Sequence, residues 1–159
     1  MNKPNLSGLA HVVLRVSELD RSVDFYERVL GLKVTSMAGK RMAFLSAPQQ
    51  KDKSHELGLL ALGSNIAPSE QNRVGLYHMA WQMDTMAELE SFHEHLVQEN
   101  AHIVGYGDHG ISMGIYFLDP DGNEIEVFYE LSPSQWPTDL KKFDGKFPLP
   151  FNVERLNVS

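Results

Sequence analysis

Residues 9–32, LAHVVLRVSELDRSVDFYERVLGL, join two periodicities within one short span. Residues 9–16 are a run of apolar and β-branched side chains, which predicts a strand. From about residue 18 the period lengthens. Leu19, Val23, Tyr26 and Leu30 recur at three- and four-residue steps and predict a helix over 18–30. Ser17 stands where a cap is expected, and Gly31 where the helix should stop. Further strands are expected near 32–38, 41–46 and 56–62, with the polar loop SAPQQKDKS before the last.

After the connector GSNIAPSEQNR the pattern restarts. GLYHMAWQM (75–83) predicts a strand, residues 84–100 a helix begun by Asp84, and 102–107, 112–118 and 123–130 three more strands. Each half therefore reads β-α-β-β-β. Leu9-Ala10-His11 matches Leu76-Tyr77-His78 at an offset of 67 residues, and Phe25 matches Phe92 at the same offset. Phe44-Leu45 resembles Phe117-Leu118. Two copies are too few for a solenoid, so the repeat predicts a duplicated module. The expected fold is α+β, one domain over 1–130 with modules at about 8–63 and 74–130. The segment 131–159, with four prolines, Trp136 and three Phe, is expected to be a strap over a sheet edge, a closure, or a crossing to a partner subunit.

Bulk properties exclude several functions. A net charge of −7 without a basic cluster argues against nucleic acid and anionic membranes as partners. No apolar run approaches the roughly 20 residues of a membrane span, and the start MNKPNLSGLAHVV lacks a secretory pattern. The absence of cysteine excludes disulfides and thiolate ligands and suits the cytoplasm. A metal site here must use His, Asp or Glu.

Alternation sorts the candidates. In the first strand Ala10, Val12, Leu14 and Val16 share one face, leaving His11, Val13 and Arg15 on the other. In the fifth, Tyr77, Met79, Trp81 and Met83 oppose His78, Ala80 and Gln82. FLDPDGNEIEVFYE (117–130) is a Pro120-Asp121-Gly122-Asn123 turn and a strand. Its Ile125, Val127 and Tyr129 oppose Glu124, Glu126, Phe128 and Glu130. A lone strand His is more often a hydrogen-bonded, half-buried residue, and a lone Glu is usually solvated. Two imidazoles and a carboxylate together suit a divalent metal. A facial triad fits Fe(II) and O₂, while Mn(II), Ni(II) and Zn(II) accept the same donors. Glu124, beside the turn, reads as solvated. His93 and His95, two apart on a helix, make a poor metal pair.

The stretch from about 8 to 130 resembles the vicinal oxygen chelate superfamily of glyoxalases, fosfomycin-resistance enzymes, bleomycin-binding proteins and type I extradiol dioxygenases. HVVLRVSELDRSVDFYERVLGL, GLYHMAWQM and YFLDPDGNEIEVF carry the resemblance. It implies paired βαβββ modules whose curled sheets enclose a metal cavity, with His11, His78 and Glu126 as ligands. SHELGLLAL, GDHGIS and GIYFLDPDG add His55, His109 and Tyr116, the last ten residues before Glu126. Those positions are similar to the acid–base His and the substrate-binding His and Tyr of type I extradiol dioxygenases. The implied activity is Fe(II)-dependent ring cleavage of a catechol-like diol with O₂; a homo-oligomer is expected besides. The best-known such dioxygenases are often twice this length. Glu56 supports a rival: glyoxalase-type members take a fourth ligand from its strand, implying an isomerase, epimerase or thiol transferase. A metal-free small-molecule-binding protein is the third alternative.

Overall fold

The computed structural model describes residues 5–64, 66 and 74–136. Contacts divide the chain into two compact units, Met1–Ala67 and Pro68–Ser159. No helix among the described residues is long and apolar enough to cross a membrane.

The first unit runs β1 (Val12–Val16), α1 (Leu19–Arg28), β2 (Lys33–Ala38), β3 (Met42–Ser46) and β4 (Leu57–Ala61). Its sheet has the order β1-β4-β3-β2. The β1–β4 pair is parallel and the other two pairs are antiparallel. Helix α1 starts after Glu18, and no side chain caps it. Ser17 is not the cap: its hydroxyl instead accepts a 2.7 Å hydrogen bond from Arg21 Nη2, and the chain stays extended through Glu18. At the other end Leu32 N–H reaches back to the Tyr26 carbonyl (3.1 Å) while Gly31 takes φ +69°, closing the helix as expected. The buried stripe of this segment is Leu19, Ser22, Phe25, Tyr26 and Val29. It is rotated from the anticipated Leu19/Val23/Tyr26/Leu30 line, and Val23 and Leu30 are only half-buried. Together with Leu14, Val16, Leu32, Ala43, Leu45, Leu57 and Leu59, the stripe forms this unit's core.

The second unit repeats the path: β5 (His78–Met83), α2 (Met86–Gln98), β6 (His102–Asp108), β7 (Ser112–Leu118) and β8 (Glu124–Glu130). The sheet order β5-β8-β7-β6 is the same, again with one parallel pair. Thr85 rather than Asp84 caps α2. Its hydroxyl accepts from Glu88 N–H (3.2 Å), and the Glu88 carboxylate accepts from Thr85 N–H (2.9 Å), a reciprocal capping box. Leu89 and Leu96 of α2, with Ile115, Phe117, Ile125 and Val127 of the sheet, are completely buried.

The α+β class and the twice-repeated β-α-β-β-β order stand, with one four-stranded sheet in each unit. Strand register makes the repeat exact enough to compare residues. Gly58 pairs with Val13 and Phe44 in the first sheet, as Glu126 pairs with Ala80 and Tyr116 in the second. Of the 131–159 segment, Pro133–Gln135 form a short 3₁₀ turn, and Trp136 Nε1 donates to the Leu131 carbonyl at 2.8 Å. The strap expected beyond residue 136 lies outside the described residues.

Candidate metal centre

Glu126 sits mid-strand in β8, between β5 and β7, and is 7% exposed. The turn ahead of it is anchored by the buried Asp119. One Asp119 carboxylate oxygen accepts from Asp121 N–H (2.9 Å) and Asn123 N–H (2.8 Å), and the other from the Asn123 side-chain amide (2.8 Å). Gly122, at φ +84°, completes the turn. The start of β8 is thereby pinned, and with it the position of the Glu126 backbone.

The carboxylate has two different neighbours. Tyr116 Oη donates to Oε1 at 2.8 Å, and Oε2 lies 3.3 Å from His78 Nε2. Burial above all pushes the Tyr116 phenol well above its ordinary pKa; its hydrogen bond to Glu126 and the charges of Glu126 and Glu124 add to this. The phenol therefore keeps its proton and donates it to the carboxylate. Its oxygen is 3.0 Å from His109 Nε2. With the phenol proton committed to Glu126, His109 must carry hydrogen on Nε2. His109 itself is set by the β6–β7 hairpin, where its N–H donates to the Ser112 carbonyl (2.8 Å) and Gly110 takes φ +76°. The result is a chain from His109 through Tyr116 to Glu126.

Paired glycines make room for that chain. Gly107 and Gly114 face each other across β6 and β7. A Cβ on Gly114 would lie 2.5 Å from Glu126 Oε1, and one on Gly107 would lie 3.0 Å from the Tyr116 ring and 3.3 Å from His109 Nε2. Neither glycine was singled out in the sequence. The available signal was glycine recurring at alternate positions on the Glu126 side of these strands.

A buried carboxylate is satisfied by hydrogen bonds, by a charged partner or by a cation, and Glu126 has the Tyr116 phenol and the His78 imidazole as polar neighbours. Two donors bound at right angles to one cation, at about 2.0–2.2 Å each, lie about 3 Å apart. The 3.3 Å between His78 Nε2 and Glu126 Oε2 fits that spacing. Among the described residues no three His, Asp or Glu side chains are gathered as a finished metal site. In the second unit His78 Nε2 and Glu126 Oε2 stand at a spacing that a cation could bridge.

Glu124 departs from expectation. Its side chain is 20% exposed rather than solvated, and Oε1 is 3.5 Å from His78 Nδ1, across the β5–β8 pair.

In the first unit, His11 and His55 lie side by side, ring centroids 4.5 Å apart, just before β1 and β4. The His55 ring meets the edge or face of Phe44 at 4.9 Å, and Ser54 Oγ is 2.9 Å from its Nδ1. Glu56 is occupied elsewhere. Its Oε2 accepts from Ser46 Oγ (3.2 Å) and Ala47 N–H (3.0 Å), and its Oε1 is 3.9 Å from Lys53 Nζ. That carboxylate holds the β3–β4 loop, and the register position equivalent to Glu126 is Gly58, which has no side chain to offer.

His93 is buried, its Nε2 2.8 Å from Tyr106 Oη, and burial pushes its pKa below the ordinary value despite the opposing charge of Glu94. His95 packs near Phe92, and His102 is exposed.

Residues 8–127 match the family described as the Glyoxalase/Bleomycin resistance protein/Dioxygenase superfamily. The chain belongs to that superfamily. Within the superfamily it is 32% identical over 134 residues to a catechol-2,3-dioxygenase of Bacillus subtilis (strain 168), covering 82% of this chain and 44% of the dioxygenase. It is 27% identical over 127 residues to a metallothiol transferase of Staphylococcus saprophyticus, covering 77% of this chain and 76% of the transferase. The chain thus spans less than half of the first relative and three quarters of the second. A glyoxalase/dioxygenase crystal structure from Nostoc punctiforme shares the superfamily fold at a TM-score of 0.67, with 21% identity, 83% of this chain covered and 97% of that one.

Proposed function

We propose that this protein is an Fe(II)-dependent extradiol dioxygenase that cleaves a catechol-like aromatic diol with O₂. His11, His78 and Glu126 hold the metal in this reading. The observation that carries it is the division of labour beside His11. His55 packs on that ring while the Glu56 carboxylate is tied to the β3–β4 loop. A three-ligand set with a neighbouring imidazole suits O₂ chemistry better than a four-ligand set. Similarity to a catechol-2,3-dioxygenase supports the same choice.

Bound Fe(II) would supply a template that brings diol and O₂ together and shares their charge. The protein's own groups do the rest. His55 takes a proton from the diol and returns it, a task suited to an imidazole near neutral pH. Tyr116, held protonated, and His109, with hydrogen on Nε2, supply donors along one line to Glu126. We assign the enzyme to the cytoplasm and expect a homo-oligomer.

The test is anaerobic loading with Fe(II), followed by a panel of catechols under O₂. Ring cleavage with matching O₂ uptake is expected, and His55→Gln should keep the iron while losing turnover. A folded, metal-loaded protein that cleaves no diol yet isomerises a glutathione hemithioacetal overturns the reading. A thiol transferase using Mn(II), Ni(II) or Zn(II) is the second reading, favoured by the fuller coverage of the metallothiol transferase. It requires Glu56→Gln, rather than His55→Gln, to strip the metal.

A further inference from the structure

His78 has a carboxylate on each side. Glu126 Oε2 lies 3.3 Å from Nε2, and Glu124 Oε1 lies 3.5 Å from Nδ1. Nδ1 is buried, yet no hydrogen bond reaches it among the described residues. A neutral imidazole carries one proton, on one nitrogen or the other. The flanking carboxylates therefore compete for it, and the winner decides what His78 can do. With the proton on Nε2, His78 and Glu126 satisfy each other and neither lone pair is free for a cation. With the proton on Nδ1, the Nε2 lone pair and the Glu126 carboxylate are both left as donors, 3.3 Å apart.

We propose that Glu124 is the positioning residue for His78: it accepts Nδ1–H, fixes the ring in that tautomer and thereby frees Nε2 to bind a metal. The inference rests on His78 being a ligand, as argued above. Three features support it. His78 and Glu124 are direct partners in the parallel β5–β8 register, so their side chains rise from the same face. Glu124 is the first residue of β8, immediately after the turn clamped by Asp119, which fixes its backbone. Its side chain is 20% exposed, which keeps competing water scarce at the carboxylate. A separation of 3.5 Å is long for a finished hydrogen bond, but such contacts around reactive groups commonly tighten when the ligand binds. Carboxylates that orient ligating imidazoles this way typically affect metal affinity by about 10–100-fold.

The test compares wild type, Glu124→Ala and Glu124→Gln. Glutamine keeps an oxygen acceptor in the same place and guards against a simple folding defect. Nitrogen NMR of the metal-free protein reads the His78 tautomer, and titration with Co(II) reads affinity through its visible absorption. Expected are Nδ1–H in wild type, a shift toward Nε2–H in Glu124→Ala with Co(II) affinity about 10–100-fold weaker, and recovery of most of both in Glu124→Gln. Persistence of Nδ1–H in Glu124→Ala overturns the proposal. So does wild-type affinity in that variant when His78→Gln abolishes binding. Should His78→Gln leave Co(II) affinity intact, the ligand assignment fails, while a tautomer shift in Glu124→Ala still supports Glu124 as the group that sets the ring.

Discussion

Phe44 and Gly58 in the first unit occupy the register positions that Tyr116 and Glu126 hold in the second. The same chain path thus carries an apolar pair in one copy and a hydrogen-bonded phenol–carboxylate pair in the other. The glutamates two residues earlier diverge as well. Glu56, just before β4, clamps a loop, whereas Glu124, at the start of β8, turns toward His78. Both copies share the sheet order, the parallel pair and a His at the head of that pair, His11 just before β1 and His78 as the first residue of β5. The polar groups differ between the copies: one has His beside His, the other has His beside carboxylate. The backbone register conserves places, and the side chains decide which places react.

Glu126→Gln should erase the difference most completely. It removes the one charge that the second unit adds at this position. Metal affinity, followed by equilibrium dialysis with metal analysis, should fall by more than the ~100-fold seen for groups that merely orient a ligand. Unchanged affinity would break the comparison outright. Next comes Gly114→Ala. Its Cβ would meet the Glu126 oxygen at 2.5 Å, so the carboxylate must move, whereas a Cβ on Gly58 would meet only a Val13 methyl at 3.1 Å. Gly114→Ala should cost about 1–3 kcal/mol in urea unfolding, as overpacking does, and weaken metal binding. Gly58→Ala should do far less of the former and none of the latter.

A smaller effect is expected at Glu56. Removing its charge with Glu56→Gln weakens two hydrogen bonds that hold the β3–β4 loop and should cost about 1 kcal/mol. Metal content should stay at the wild-type level. The smallest effect concerns His93, whose place in the repeat is taken by Tyr26 in the first unit. Burial lowers the His93 pKa, so the fold favours the neutral ring. The unfolded chain then binds more protons near and below its ordinary value of 6.5, and stability falls as pH drops through that range. Thermal melts at pH 7.5 and 5.5 should show His93→Gln losing less between the two than wild type does.

Much of this was written in periodicity. The switch from a strand to the α1 helix, and its recurrence after residue 74, reflects burial of one face per element, which side-chain spacing records directly. Even so, β1 begins only at Val12 and leaves residues 9–11, His11 among them, ahead of the sheet. Helix starts were less legible, because Ser17 and Asp84 compete with their neighbours for the same backbone donors. At Ser17 an arginine claimed the hydroxyl, and at Asp84 the adjacent threonine offered a complete box. The α1 stripe was misphased because Ser22 is small enough to be buried despite its hydroxyl. Alternation put Glu124 and Glu126 on one face but could not rank their partners. That depends on the parallel register of β5 against β8, a pairing of residues about 46 apart in the chain. The glycines facing Glu126 and Tyr116 were invisible for a different reason: a missing side chain signals nothing until its neighbours are placed.

Those two glycines bear on how such sequences drift. Glycine to alanine is among the gentlest exchanges on any scale of residue similarity, adding a single methyl. At Gly114 that methyl would land against the Glu126 carboxylate. A descendant could therefore keep every His, Glu and Tyr of the site and still lose its chemistry through one inconspicuous exchange.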